Sequence, residues 1–290
     1  MLYTKIPSKH EAQVLGDMLT SLNAHTIRCM VETDVLIVPS LQSSAKKAAE
    51  IILNSNYDSV FLNFPKNLQS LVLKCASRRL TPQEVQKRIE AERLIPEPVG
   101  SWFYLNLPLL EAIHKLGSNV KIHCYKDVDH YHLQMDAASK IASLTLKASA
   151  TGEIDVKEWI KTLKESAPSE ASMIEAEYIA FKAYGKTVCV TGISGWKIAN
   201  NIKRIGFTAR VKCVEKLYHF KPLEILENLL EAGKLTDQIA EKLIWDHVKF
   251  VRNYVLSSKN LDEAYHRWIW NKQKFSDLSS KTSEYLRQYT

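Results

Sequence analysis

The stretch "GKTVCVTGISGWKIANNIKRIG", residues 185–206, contains an apolar segment, a turn with two glycines and an amphipathic segment in direct succession. The apolar residues 188–190 predict a buried strand that ends at Gly192. After the turn, three isoleucines have the i, i+4, i+7 spacing of one helix face: Ile198, Ile202 and Ile205. A strand that passes through glycines into a helix predicts either an anion-binding turn or a plain connection.

The same alternation of strand and helix extends over the first 220 residues. Apolar runs predict strands at 1–6, 25–31, 34–40, 59–65, 119–125, 187–191 and 208–218. Amphipathic segments separate most of them, which predicts an α/β fold with a mainly parallel sheet and flanking helices. From Pro222 onward the periodicity is helical only. We therefore expect an α/β domain over 1–220 and a helical C-terminal extension over 221–290.

The last helical segment carries an apolar and aromatic face formed by Leu261, Tyr265, Trp268 and Ile269. Such a face indicates packing against the rest of the chain or binding of a protein partner. The sequence leaves both open.

Composition is that of an ordinary globular protein, with 46% apolar and 24% charged residues in a chain of 290. No apolar run approaches the roughly 20 residues that span a bilayer, and the N-terminal residues lack the apolar core of a signal peptide. The five cysteines form no CxxC pair, which favours free thiols in a reducing compartment. These features predict a cytoplasmic protein that is not embedded in a membrane. The nine glycines weigh against a nucleotide-cradling enzyme, and neither a Walker motif nor GxGxxG is present.

Positive charge is concentrated between Lys182 and Lys216. Eight basic residues lie there against one acid, Glu215, and this local excess of seven equals the net charge of the whole chain. The basic residues are Lys182, Lys186, Lys197, Lys203, Arg204, Arg210, Lys212 and Lys216. Such clustering favours a polyanionic partner, RNA or DNA above all, and a solvated surface is the alternative.

The glycine turn lies inside this basic segment and is the predicted binding element. The first backbone N–H groups of a helix have no partner within it, and the helix dipole favours an anion there. Ser194 adds a hydroxyl, Lys197 a charge, and Trp196 a ring that stacks on a base or packs on the sheet. The predicted nucleic-acid or anion site comprises Gly192, Ser194, Gly195, Trp196, Lys197, Lys203, Arg204, Arg210 and Lys212.

A second cluster of functional side chains lies in "HCYKDVDHYH", residues 123–132. Imidazoles and carboxylates together bind divalent transition metals. In an extended loop His130 and His132 would project to the same side. The candidate metal ligands are His123, Asp127, Asp129, His130 and His132. No known zinc spacing is matched, so a polar loop without metal is the alternative; no other cofactor is predicted.

Two glutamates, Glu175 and Glu177, precede the glycine turn on a predicted helix. A general acid–base pair would need one of them shifted in pKa by its surroundings. Solvation, or pairing with Lys182 or Lys186, is the simpler expectation.

Three segments resemble the TraB/ChaN-like family of α/β proteins, which includes proposed metal-dependent hydrolases. "VLIVPSLQSSAKKAAEIIL" with "YDSVFLNFPKNLQSL" is similar to its opening strand, helix and second strand. "LPLLEAIHKLGSNVKIHCYKD" is similar to its middle helix and strand, and "IEAEYIAFKAYGKTVCVTGISGWKIANNI" to its closing helix, strand and turn. The resemblance covers roughly residues 35–205.

The chain departs from that family at each of its functional positions. The first loop reads "PSLQS" where the family has GxxH, and the second strand ends at Asn63-Phe64-Pro65 where the family has a glutamate. In the last turn Gly195 stands where the family has a histidine. Metal catalysis needs imidazole or carboxylate ligands. The resemblance therefore implies a non-catalytic relative.

Charge and resemblance together predict a non-catalytic cytoplasmic protein that binds nucleic acid or another phosphate-rich partner. A subunit of a nucleoprotein assembly of the defence type is one such role. Two alternatives remain at this point. One is a metal-dependent hydrolase that uses the 123–132 cluster, and the other is a protein-binding scaffold that uses the C-terminal helices.

Overall fold

A computed structural model describes residues 32–96, 98–117, 119–166 and 171–276. It contains a five-stranded sheet in the order β3-β2-β4-β1-β5, in which every pair of neighbours is parallel. The strands are β1 (Glu32–Ile37), β2 (Ser59–Pro65), β3 (Lys121–Lys126), β4 (Thr187–Thr191) and β5 (Thr208–Cys213). The predicted α/β fold is confirmed. The strands predicted at 1–6 and 25–31 lie outside the described residues.

Helices cover both faces of the sheet because successive strand residues point to opposite sides. On one face, Leu36 of β1 shares a core with α1 to α4; on the other, the adjacent Val35 shares a core with α7 and α8. The helices are α1 (Gln42–Asn54), α2 (Gln69–Ala76), α3 (Pro82–Ala91), α4 (Val99–Leu116), α5 (Val128–Thr151), α6 (Val156–Glu165), α7 (Ala171–Lys182) and α8 (Gly195–Arg204). No helix among the described residues is long and apolar enough to cross a bilayer.

From residue 222 to the end of the described part, the chain consists of helices joined by short turns. The elements are α9 (Pro222–Glu231), α10 (Asp237–Phe250), a π-helical turn (Val251–Val255) and α11 (Leu261–Ser276). The predicted helical extension is therefore confirmed over 222–276. Helices α9 and α10 share a core with α5 and α6, centred on Trp159, which is 1% exposed. The extension thus packs on helices of the first part of the chain, and the domain boundary at residue 220 stays a prediction.

The aromatic face of α11 packs on the chain itself. Tyr265 and Trp268 are 6% exposed and form a small core with Leu41 and Phe250. The Asp262 carboxylate accepts hydrogen bonds from the backbone N–H groups of residues 42 and 43, at 2.9 and 2.8 Å. These N–H groups open helix α1 and have no partner within it. Helix α11 therefore docks through both an apolar contact and a helix cap.

Candidate functional site

The order of the strands creates a crevice at the carboxyl edge of the sheet. Strand β4 lies between β2 and β1. The connections after β2 and β1 lead to the face covered by α1 to α4, whereas the connection after β4 leads to α8 on the opposite face. Neighbouring strands whose connections diverge in this way leave a crevice outside their carboxyl ends, the usual ligand site in open α/β sheets.

A cleft of about 970 Å³ occupies this position. Small-molecule sites commonly have volumes of about 300–1,000 Å³. On the sheet side it is lined by Ser40, Asn63, Tyr125, Lys126, Gly192 and Ser194. On the side of the C-terminal helices it is lined by Glu224, Glu227, Glu231, His247, Val251 and Val255. The last two belong to the π-helical turn, a distortion that is frequent at functional sites.

A buried cluster of three ionisable side chains forms one end of the cleft. Lys126 ends β3, His130 lies in the first turn of α5, and Glu175 extends from α7. The Lys126 Nζ atom lies 3.1 Å from Glu175 Oε1, and His130 Nδ1 lies 3.4 Å from the same oxygen. The three residues are 8%, 8% and 2% exposed. Glu175 therefore pairs with Lys126 and His130, and the predicted pairing with Lys182 or Lys186 was wrong.

The second ring nitrogen of His130 is buried without a hydrogen-bond partner among the described residues. If Nδ1 donates to Glu175, the neutral ring keeps a lone pair on Nε2. A buried polar atom without a partner requires an explanation, because its desolvation is uncompensated. Since His130 lines the cleft, a bound group or water is the natural partner.

The candidate metal ligands of residues 123–132 are not brought together. The predicted extended loop was wrong, because helix α5 begins at Val128. Residues two apart on a helix point to nearly opposite sides. His130 is accordingly buried, whereas His132 is exposed.

The remaining three candidates have separate environments. Asp127 caps α5, with its Oδ1 accepting the backbone N–H of residue 130 at 3.0 Å. Asp129 is exposed, and His123 stacks on Phe61 at 4.8 Å between ring centroids. Across the part of the chain that the structure describes, no group of three or more His, Cys, Asp or Glu side chains is arranged to hold a metal ion.

The glycine turn joins β4 to α8 and opens into the cleft. The Gly195 N–H donates to the carbonyl of Gly192, and the Lys197 N–H to that of Ser194, both at 3.0 Å. Gly195 is required by close packing: a Cβ atom there would lie 2.0 Å from Thr191 Oγ1 and 3.1 Å from Ile37 Cγ1. At Gly192 a Cβ atom would have open space.

Gly195→Ala is therefore expected to lower the free energy of unfolding by about 1–3 kcal/mol, the usual cost of overpacking. Thr191 cannot yield freely, because it is 2% exposed and its hydroxyl donates to the Leu36 carbonyl at 3.2 Å. Gly192→Ala is the matched control and should change stability by less than about 0.5 kcal/mol. Urea denaturation of both variants measures the difference; equal stabilities would contradict this packing role of Gly195.

Lys197, in the first turn of α8, forms an ion pair with Glu231 of α9 across the cleft. Partial burial lowers the pKa of Lys197. Of the predicted anion-binding residues, Gly192, Ser194 and Lys197 thus line the cleft, and Gly195 is buried in the first turn of α8. Trp196 is 53% exposed.

Arg210 and Lys212 bind a buried carboxylate on the other face of the sheet. Arg210 Nε and Lys212 Nζ lie 3.1 and 2.6 Å from the Asp34 oxygens, and the Tyr57 hydroxyl donates to Asp34 at 2.8 Å. Burial alone would raise the pKa of Asp34, but these hydrogen bonds outweigh it and lower the pKa. Asp34 lies two residues before Leu36 on β1 and so points toward α1 to α4, away from α8.

Lys203 and Arg204 are exposed at the far end of α8. A helix of ten residues is about 15 Å long, so these two residues lie well away from the turn. The nine predicted residues therefore lie at the turn and the start of α8, at the far end of α8, and on β5. Their joint binding of a phosphate-rich partner stays a prediction. The acids that neutralise part of the basic segment, Glu32, Asp34 and Glu231, lie elsewhere in the sequence.

The opposite wall of the cleft is acidic. Glu224, Glu227 and Glu231 are spaced i, i+3, i+7 on α9 and line the cleft together. Burial, with a smaller contribution from Glu224, raises the pKa of Glu227 to about 7. The Glu227 side chain is itself exposed, so the rise in pKa comes from the protein packed around it and not from contacts of its carboxylate. Burial also lowers the pKa of the nearby His247 to about 4.

Sequence reasoning missed Lys126 and the glutamates of α9. Lys126 had a signal in the sequence, because it is a charged residue at the end of an apolar strand, where ligand-binding residues of parallel sheets lie. The glutamates had none, since their cleft-facing position depends on how α9 packs.

No family model, curated protein or solved structure was found to match this chain.

Proposed function

We propose that the chain binds a phosphate-bearing ligand in the cleft, with the phosphate against the 192–197 turn. One observation carries the proposal. The start of α8, the side chains of Lys126 and Lys197, and the buried, unpartnered Nε2 of His130 all border one cleft at the carboxyl edge of a parallel sheet.

The physical argument begins with the helix terminus. The helix dipole attracts an anion at the start of α8, where the N–H groups of Gly195 and Lys197 already donate to carbonyls of the turn. Lys197 adds a charge in the first turn, and a phosphate with up to two charges and several acceptor oxygens is a stronger partner for it than the single Glu231 carboxylate. The Nε2 of a neutral His130 ring accepts, so its partner in the cleft is a hydroxyl or a water and not a phosphate oxygen.

The phosphate group has two sources, a small molecule or a nucleic-acid strand. The cleft favours the small molecule, because Arg210 and Lys212 are bound to Asp34 on the far face and cannot extend a continuous basic track. Lys203, Arg204 and the half-exposed Trp196 are the predicted contacts that remain open to a strand.

In this proposal the protein binds its ligand without converting it chemically. The Nε2 of His130 contacts no nucleophilic side chain among the described residues, and the predicted metal ligands do not meet there. The cytoplasmic location, membership of a nucleoprotein assembly and kinship with the TraB/ChaN-like family are parts of the proposal that rest on the sequence alone.

Calorimetric titration with inorganic pyrophosphate tests the proposal. Lys197→Met should weaken binding about tenfold, because a hydrogen bond to a charged group contributes about 1.5–3 kcal/mol. The double variant Lys203→Ala with Arg204→Ala is the matched control and should bind as the wild type does. Equal affinity of the Lys197→Met variant and the wild type, or no binding by either, would contradict the proposal.

Short RNA and DNA at two salt concentrations distinguish the two sources of phosphate. A strand on the exposed face of α8 would bind the double variant more weakly for all sequences alike. The slope of log affinity against log salt concentration would become shallower, by the equivalent of about two released counterions. A small-molecule site predicts no such change.

A further inference from the structure

The cleft is not uniformly basic, and the charged side chains that line it from α9 are all glutamates. Its lysines are Lys126, Lys164 and Lys197, whereas its carboxylates are Glu175, Glu224, Glu227 and Glu231. A polyanion filling this space would be repelled by the carboxylates of α9, because like charges repel. A ligand with an anionic group at one end and hydrogen-bond donors at the other matches both walls.

Of the three glutamates with which α9 lines the cleft, Glu227 is the one whose carboxylate is available to a ligand. Glu224 accepts from the Tyr218 hydroxyl at 2.9 Å and pairs with Lys221 at 2.9 Å, and Glu231 pairs with Lys197. Glu227 lines the cleft and makes no hydrogen bond or ion pair with any described residue. It lies between Glu224 and Glu231 on the same helix face.

Apolar side chains form a further part of the cleft lining, which we call the apolar strip. It includes Ile141 and Ala142 of α5, Leu223 and Leu230 of α9, and Val251 and Val255 of the π-helical turn. The His247 ring borders the same space and has a buried Nδ1 without a partner among the described residues. An aromatic ring with polar edge atoms suits a strip of this kind, since it needs apolar contact on its faces and hydrogen bonds at its edge.

We propose that the ligand is a ribonucleotide, with its phosphate on the 192–197 turn, its base on the apolar strip and its ribose diol on Glu227. This inference rests on the proposed function and names the class of ligand. A carboxylate is acceptor-only when ionised and receives both hydroxyl donors of a vicinal diol, so this contact requires a pH above the Glu227 pKa of about 7. The same pairing of a phosphate on a helix start with a carboxylate on the ribose recurs in dinucleotide-binding α/β proteins.

The test uses the full chain and four kinds of probe. The four common ribonucleoside 5′-monophosphates are titrated calorimetrically, followed by their 2′,3′-dideoxy counterparts, inorganic phosphate and O-phosphoethanolamine. At least one ribonucleotide should bind more tightly than inorganic phosphate. Its dideoxy counterpart should lose about 10-fold to 100-fold in affinity, as expected for hydrogen bonds to a charged group.

Glu227→Gln should lower the affinity for the ribonucleotide by a similar factor and leave the affinity for inorganic phosphate unchanged. The control is Glu241→Gln, an exposed residue of α10 that does not line the cleft, which should change neither. A circular dichroism melt checks that both variants fold.

The outcomes separate this inference from the proposed function. Binding of inorganic phosphate with no ribonucleotide preferred over it would overturn the ribonucleotide inference alone. Equal affinity for the ribose and dideoxyribose forms would also overturn it. The same holds if Glu227→Gln binds the ribonucleotide as tightly as the wild type, or if O-phosphoethanolamine binds more tightly than the ribonucleotides. Failure of every phosphate-bearing probe to bind would overturn both.

Discussion

Glu175→Ala is expected to lower the free energy of unfolding by about 3–5 kcal/mol, the usual cost of leaving a buried charge without its partner. Glu175 is 2% exposed, and its removal strands the Lys126 ammonium and takes away the acceptor of His130 Nδ1. Chemical denaturation monitored by circular dichroism measures the loss.

Two controls separate the ion pair from simple truncation. Glu177→Ala removes an exposed glutamate from the same helix and should change stability by less than about 0.5 kcal/mol. Lys126→Met combined with Glu175→Leu replaces the pair by apolar groups, and this double variant should be clearly more stable than Glu175→Ala. Similar losses for Glu175→Ala and Glu177→Ala would show that the cluster is not buried as described.

Trp159→Ala is expected to lower the free energy of unfolding by about 3–5 kcal/mol, as large-to-small changes of buried aromatic residues do. Trp159 is 1% exposed in the core that joins α5 and α6 to α9 and α10, and its ring meets that of His247 edge-on at 5.8 Å between centroids. The cavity should also loosen the cleft wall formed by α9 and α10. Limited proteolysis should then cut the C-terminal helices sooner.

Trp196→Ala is the matched control, since Trp196 is 53% exposed at the start of α8. Its cost should stay below about 1 kcal/mol, with no change in the rate at which α9 to α11 are cleaved. A Trp159→Ala variant as stable as the Trp196→Ala variant would contradict the packing of the C-terminal helices on α5 and α6.

The order of strands and helices could be predicted from the sequence because each central strand is a continuous apolar run. The 59–65 and 187–191 strands have the predicted boundaries. The start of α5 could not be placed, because "KDVDHYH" carries no helical periodicity and its helix is set by Asp127 acting as a cap. Strand order was also beyond the sequence, since it depends on which face each connecting helix covers.

Individual site residues were visible in the sequence, but their partners were not. The sequence indicated Glu175 and His130 as separate candidates, yet the contact between them forms only when α7 and α5 pack at the end of β3. The local excess of charge around Arg210 indicated an open basic surface, because Asp34 lies 176 residues away in the chain. The resemblance to the TraB/ChaN-like family stays a prediction.

A crystal structure of the full chain soaked with inorganic pyrophosphate tests the central claim most directly. We expect ordered phosphate within hydrogen-bond distance of the backbone N–H groups at the start of α8, with the Lys197 ammonium turned from Glu231 to the phosphate oxygens. Ordered phosphate confined to the exposed Lys203 and Arg204 at the opposite end of α8, with the cleft holding none, would contradict it.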